Sequence, residues 1–270
     1  MPHRYKYRGT EVLKNRFGIR DPKTLMSMEA AVSARQRTAD VPDFSADMDG
    51  LKRVHAVLFD RLYEWAGRTR GEAVTISGET FTPEDHILSK GDTQFAPASV
   101  SVSGLPRELE RQRNLIDTVR ARGELDLKKW AEATADQIGA INHAHPFREG
   151  NGRAMRRFIE LSGQVYGYQV RVAGGPEWVK ASHEAMDEKK TGLLAKYIQQ
   201  SQIDRRPPGL VSENLGKYLA AADQAVGNMT DPDKRKQAQK LLSAMKRRPR
   251  DAAYEQNQQK GADNDYDIGR

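Results

Sequence analysis

The chain has 270 residues and no cysteine, which excludes disulfides, thiolate nucleophiles and Cys-based metal sites and suits folding in a reducing compartment. Hydrophobic residues make up 37% and charged residues 30%, enough for a real core beside a solvated segment, and no apolar run is long enough to span a bilayer. The net charge of +7 points to anionic partners in general, but without a zinc-finger, RNA-recognition or basic-zipper pattern a nucleic-acid partner is not expected.

The first ten residues, MPHRYKYRGT, are basic and lack the apolar stretch of a secretory signal. A stretch rich in Ala and Met over 25–39 suits a helix. Residues 48–65 place Leu51, Val54, Leu58, Leu62 and Trp65 at helical intervals. The character then changes: 73–104 is rich in Thr, Ser and Val, is broken by Ser-Gly, Thr-Pro and Lys-Gly-Asp, and reads as hairpin and loop. Helices are predicted again over 106–122, over 126–143, and from Asn151 to Gly163 or slightly beyond, then over 176–190 and 193–202. Arg205-Arg206-Pro207-Pro208-Gly209 is a breaker. It sets a boundary between a main domain over 1–204 and a helical extension over 205–247, with helices predicted at 212–226 and 231–247. Residues 248–270 hold almost no apolar side chains and are expected to be disordered.

One segment carries chemistry: His145-Pro146-Phe147-Arg148-Glu149-Gly150-Asn151-Gly152-Arg153-Ala154-Met155-Arg156. Pro146 stops the preceding helix, because the residue before a proline avoids the helical region. Gly150 and Gly152 flank Asn151 in a tight turn that tolerates positive φ and close approach of a ligand. The next helix opens with Arg153, Arg156 and Arg157, although cations oppose the dipole at a helix N-terminus. An anion would offset both, so exposed N–H groups and guanidinium groups together describe a phosphate cradle. Glu149 adds a carboxylate of the kind that shares Mg²⁺ with phosphate oxygens. His145, at the mouth of the loop, is placed to accept a proton from an attacking hydroxyl.

The same residues resemble the signature of the Fic family, HxFx(D/E)GNGRxxR, with every specified position filled. The resemblance extends to residues 7–19, to Leu58 through Arg68 with its Tyr63-Glu64-Trp65-Ala66-Gly67 core, and to Ser89 through Phe95. Together these cover roughly residues 5–200. It implies a mainly α fold, an orthogonal helix bundle with a β-hairpin flap over the site, followed by a short helical extension. It also implies protein adenylylation with Mg-ATP. His145 would be the base, and Glu149 would hold Mg²⁺. Gly150, Asn151 and Gly152 would line the anion hole, with Asn151 touching the α-phosphate, while Arg153 and Arg156 would bind the outer phosphates. Phe147 would anchor the loop from the core. Ser89 and Lys90 would contribute to the nucleotide site, and Lys90, Gly91, Asp92, Thr93, Gln94 and Phe95 would dock the target by strand addition. Gly rather than Lys at position 152 distinguishes the chain from the phosphorylating Doc-type relatives. The inhibitory pattern (S/T)xxxE(G/N) is absent, which implies a separate small inhibitory protein acting near Arg156.

The stretch between Arg70 and Ser89 is longer than a minimal flap needs and is acidic through Glu72, Glu79, Glu84 and Asp85, which suits a target with a basic surface. His143 reads as structural, and Trp65 and Trp130 as core. The basic run 246–250 reads as a solvated patch. Alternatives to adenylylation are a transferase using another nucleotide donor, an idle binding module, and a nucleic-acid binder acting through the tail. The expected setting is the cytoplasm where the chain is made, as a toxin restrained by a partner or an effector sent into another cell.

Overall fold

The structure, a computed structural model, describes residues 2–83, 87–91, 93–187, 190–203 and 215–246. After a 3₁₀ turn at Pro2–Tyr5, helix α1 spans Pro22–Gln36. It starts earlier than the composition suggested, because Asp21 caps it by accepting the Thr24 N–H at 2.7 Å and Pro22 fits the first turn. Helix α2 covers Met48–Phe59 and stops short of the predicted end at residue 65. From there the chain continues in tight turns, with the N–H groups of Leu62 and Tyr63 both donating to the Phe59 carbonyl. Those turns keep Leu62, Tyr63 and Trp65 buried, so the apolar spacing outlasts the helix.

The region expected to be a single hairpin and loop holds two hairpins. Strands β1 (Val74–Ile76) and β2 (Glu79–Phe81) pair antiparallel around Ser77 and Gly78, both at positive φ. Strands β3 (Ile87–Lys90) and β4 (Thr93–Pro97) pair with Lys90 opposite Thr93, with a register irregularity between Ile87 and Ser89. Helix α3 then runs over Val100–Ala121 and begins six residues before the predicted start at Pro106. Residues 100–105, with two valines, two serines and a glycine, have weak helix propensity, but Ser101 and Leu105 are buried against the core. A proline in the second turn removes only one ladder bond.

The centre of the fold is α4, Leu127–Ala144, whose Trp130, Ala131, Thr134, Ala135 and Ile138 are fully buried. Asp126 caps it by accepting the Lys129 N–H at 2.7 Å. Helix α5 (Asn151–Tyr166) packs on both α4 and α2. Helices α6 (Pro176–Glu184) and α7 (Gly192–Gln200) complete the wrapping of α4. Gly139 lets α4 touch the end of α6, since a Cβ there would meet the Ala185 carbonyl oxygen at 2.1 Å. Helix α6 ends six residues before its predicted limit.

Helices α8 (Leu215–Gly227) and α9 (Pro232–Lys246) pack on one another, and α8 lies along α1. Their Leu215, Leu219, Ala222, Val226 and Leu242 join the same buried core. Among the described residues no helix is long and apolar enough to cross a membrane. The mainly α architecture with small hairpins matches the expected fold class. Glu84, Asp85, Asp92, Ser212, the breaker at 205–209 and the tail over 248–270 lie outside the described residues.

Candidate active site

The loop between α4 and α5 is built by its own residues. His145 ends α4 in the left-handed region, at φ 44° and ψ 60°, and its N–H donates to Ile141 O at 2.8 Å. Phe147 is fully buried. Asn151 closes the turn: its Nδ2–H donates to Phe147 O at 2.8 Å and its Oδ1 accepts the Phe147 N–H at 2.9 Å. One N–H and the oxygen of the carboxamide thus hold the loop closed, and Asn151 is only 2% exposed. Gly150 sits at φ 83° directly against the Phe59 ring. Asn151 and Gly152 open α5, where a helix leaves its first N–H groups without intrahelical acceptors.

The His145 imidazole is buried under the Phe95 ring of β4, at 3.8 Å between centroids and 26° between planes. Among the described residues neither ring nitrogen meets a partner in hydrogen-bond geometry, although the Asn142 carbonyl is near enough to favour the charged form slightly. Burial lowers its pKa to about 3, helped by the charges of Lys90 and Arg70. The ring is therefore neutral at physiological pH.

Glu149 keeps its carboxylate at the loop surface. Its Oε1 accepts the Gly150 N–H at 2.9 Å, Lys90 Nζ reaches Oε2 at 3.3 Å, and Arg153 Nη2 lies 3.8 Å from Oε1. Arg153 also pairs with Glu29 of α1, donates to Ser33 Oγ at 3.2 Å and lies over Phe59. Arg156 lies over the Trp178 ring at 5.6 Å, and among the described residues it makes no ion pair. Burial, with a neighbouring guanidinium, lowers Arg153 and Arg156 to about 10, which leaves both charged at neutral pH. Arg157 points elsewhere, toward Glu160 and Ala39 O.

Of the expected flap residues, Lys90 contacts the loop and Phe95 covers His145, whereas Ser89, Gly91 and Gln94 are exposed and Thr93 is half-buried. Three residues that support the loop were not singled out from the sequence. His55 is fully buried and stacks on Phe147 at 3.9 Å. Its Nδ1 accepts the Gly67 N–H at 2.9 Å, so Nε2 carries the proton and donates to Glu149 O at 3.0 Å. Burial lowers its pKa to about 4. Glu29 receives the Tyr63 hydroxyl at 2.8 Å as well as Arg153. Arg70 binds the carbonyls around His145. A histidine within the apolar stripe of α2 and an arginine three residues past Trp-Ala-Gly were the available signals.

Residues 45–162 match the Fic/DOC family. The chain is similar, at 30% identity over 208 residues, to the protein adenylyltransferase VbhT of Bartonella schoenbuchensis. That match takes in 73% of this chain but only 39% of the relative, so the chain spans well under half of its length. It is 31% identical over 169 residues to the probable protein adenylyltransferase y4lH of Sinorhizobium fredii, covering 61% of this chain and 77% of that one. Among solved structures it resembles BepC, a VirB-translocated effector protein of Bartonella tribocorum with bound AMPPNP. The TM-score is 0.64 and the identity 29%, over 76% of this chain and 98% of that chain. A complete signature loop between α4 and α5, a flap strand over its histidine and a relative matched over most of its length agree: the chain belongs to the Fic/DOC family.

Proposed function

We propose that the chain is a protein adenylyltransferase, moving AMP from ATP onto a Ser, Thr or Tyr hydroxyl of another protein. One observation carries this reading: a neutral imidazole and a guanidinium that, among the described residues, meet no hydrogen-bond partner and no ion pair respectively flank a single glycine-rich turn. A base with its proton site vacant and a cation lacking an anion suit a hydroxyl and a polyphosphate. The names of the relatives and the AMPPNP bound to BepC support the same reading.

In the proposed reaction the target oxygen attacks the α-phosphorus, the bond to the bridging oxygen of the β-phosphate breaks, and pyrophosphate leaves. His145 takes the hydroxyl proton. The first N–H groups of α5 face the phosphates, and Gly152 leaves them accessible, since a Cβ there would come no closer than 3.8 Å to Arg156 and Trp178. Arg156 and Arg153 bind the outer phosphates. Asn151 acts by closing the loop, and His55 and Glu29 hold it from behind. Glu149 fits the role of magnesium ligand. Among the described residues no cluster of three or more His, Cys, Asp or Glu could hold a metal, as suits an ion that takes most of its ligands from phosphate and water. That ion would supply neutralisation of phosphate charge.

Phe95 lies on His145, so a target hydroxyl reaches the base only where the flap lets it in. The open edge of the β3–β4 hairpin offers main-chain groups to an extended target segment. A separate small inhibitory protein would present a carboxylate to Arg156. Like its VirB-translocated relative, the chain would act as an effector delivered elsewhere, or as a toxin restrained by that inhibitor.

The test is labelling of a cell lysate with Mg²⁺ and ATP carrying label in the α- or the γ-phosphate, using wild type and His145→Ala. Label from the α position alone, absent in the mutant, is expected. Label from the γ position would overturn the reading in favour of phosphorylation. No label with any nucleotide would favour a binding module.

A further inference from the structure

We propose that Arg70 is the positioning residue of the site: one buried guanidinium sets the backbone of His145 and fixes the flap strand that covers it. The inference rests on the reading of His145 as the base.

Arg70 follows Trp65-Ala66-Gly67 by three residues and is 1% exposed. Its Nε–H donates to His145 O at 2.7 Å and an Nη2–H donates to Ala144 O at 2.9 Å. Its own backbone N–H donates to Pro146 O at 2.7 Å. Three successive carbonyls at the end of α4 therefore bond to one residue, 74 to 76 positions away in the chain. The first two are carbonyls a helix leaves unpaired at its negative end, where a cation is favoured. The second acceptor of Nη2 is Ala96 O in β4, at 2.8 Å. Ala96 adjoins Phe95, whose ring lies on the His145 imidazole. The base and its cover are thus tied to the same side chain, with Nη2 shared between the Ala144 and Ala96 carbonyls.

The conformation of His145 explains why such a device is needed. A residue with a Cβ disfavours the left-handed region, yet His145 stands there at φ 44° and ψ 60°. Among the described residues the ring nitrogens meet no partner in hydrogen-bond geometry, and the nearby Asn142 carbonyl favours the charged form only slightly. What sets the direction of the imidazole is the backbone beneath it and the ring above it, and Arg70 holds both. Lysine at position 70 would keep the charge but lose the planar fork, so the carbonyls of 144, 145 and 96 could not be held in one arrangement.

The experiment compares Arg70→Lys with Leu242→Ala, a remote core deletion in α9, in the 270-residue chain. Three readouts are taken: AMP labelling rate, affinity for AMPPNP by calorimetry, and amide exchange by mass spectrometry. The expected result for Arg70→Lys is a labelling rate about 100-fold lower, the scale set by small misplacement of a reacting group. AMPPNP affinity falls far less than the rate, because Arg153 and Arg156 are untouched. Exchange rises together at the flap strand and at the signature loop. Leu242→Ala should lose stability while keeping both rate and affinity. Equal rate losses in the two variants, or exchange rising at one segment alone, would overturn the proposal.

Should Arg70→Lys fail to fold, the wild-type chain serves: nitrogen NMR of the Arg70 Nε–H should show slow solvent exchange and coupling to the His145 carbonyl. Absence of that coupling would equally sink the inference. If wild type binds AMPPNP but labels nothing, the adenylylation reading fails instead, and the exchange and NMR results still decide on Arg70.

Discussion

Replacing Gly150 by alanine tests whether the anion cradle is as tightly built as its geometry implies. Gly150 has φ +83°, where a residue with a Cβ costs about 1–2 kcal/mol. A Cβ built there would lie 2.4 Å from Phe59 Cε2 and 2.5 Å from Cζ, closer than any real contact. The ring has little room to retreat. It is 1% exposed, tilts against His55 at 4.8 Å, and carries the Arg153 guanidinium over its face at 4.9 Å. Overpacking of this kind costs about 1–3 kcal/mol, so the total is roughly 2–5 kcal/mol. Two controls separate the contributions. Gly167→Ala shares the positive φ, at +89°, but meets nothing within 4 Å, and should lose only the conformational part. Gly152→Ala has no positive φ and no neighbour nearer than 3.8 Å, and should leave stability almost unchanged. Urea melts give the three values, and calorimetry with AMPPNP reports whether the loop still binds nucleotide. Equal destabilisation by Gly150→Ala and Gly167→Ala would refute the claim that Phe59 is packed rigidly beneath the loop.

Three further outcomes follow from the site. His55→Phe keeps the stack on Phe147 but leaves the Glu149 carbonyl and the Gly67 N–H without their partner; the expected loss, by urea melt, is about 1–3 kcal/mol from two unsatisfied half-buried groups. Stability should fall on acidification below neutrality. His55 and His145 are held to about 4 and about 3 when folded, whereas an unfolded histidine titrates near 6.5. Between those values the unfolded chain binds protons that the folded chain refuses. The contribution is therefore complete above about pH 7 and is lost as pH drops, by about 2 kcal/mol per histidine at pH 5. Urea midpoints at pH 7.5 and pH 5 measure it, and His55→Phe should flatten the dependence. Arg156→Ala removes a cation that makes no ion pair among the described residues, so the melting temperature should hold while AMPPNP binding weakens by about 10- to 100-fold, the worth of a charge-assisted bond.

The chemistry-bearing loop was legible because its determinants are local. Pro146, the two glycines and Asn151 each dictate backbone geometry within a few residues, and the arginines follow at once. The flanking helices α4 and α5 were legible for the same reason, since Pro146 and the glycine-flanked turn mark where one stops and the next begins. Where side chains stay buried after the backbone leaves the helix, periodicity misleads, as with Leu62 and Trp65 beyond the end of α2. Pro106 misled in the other direction, since a proline near a helix start is compatible with either side of the boundary. Arg70 and His55 were invisible for a different cause. Their partners are backbone carbonyls and an N–H, groups that every residue carries, so nothing in the sequence marks position 145 or 149 as their acceptor. Asn151 shows the limit of residue type alone: nothing in the sequence marks its carboxamide as the clasp that bonds both the N–H and the carbonyl of Phe147.

The central claim, that His145 deprotonates a hydroxyl which displaces pyrophosphate from ATP, is tested most directly with a purified target recovered from the labelling assay. Pyrophosphate release and AMP incorporation are measured in the same reaction, with wild type and His145→Ala. The account predicts one pyrophosphate released per AMP bound to a hydroxyl side chain, with both lost in the mutant while AMPPNP binding persists. Orthophosphate in place of pyrophosphate, or undiminished AMP incorporation by His145→Ala, would contradict it.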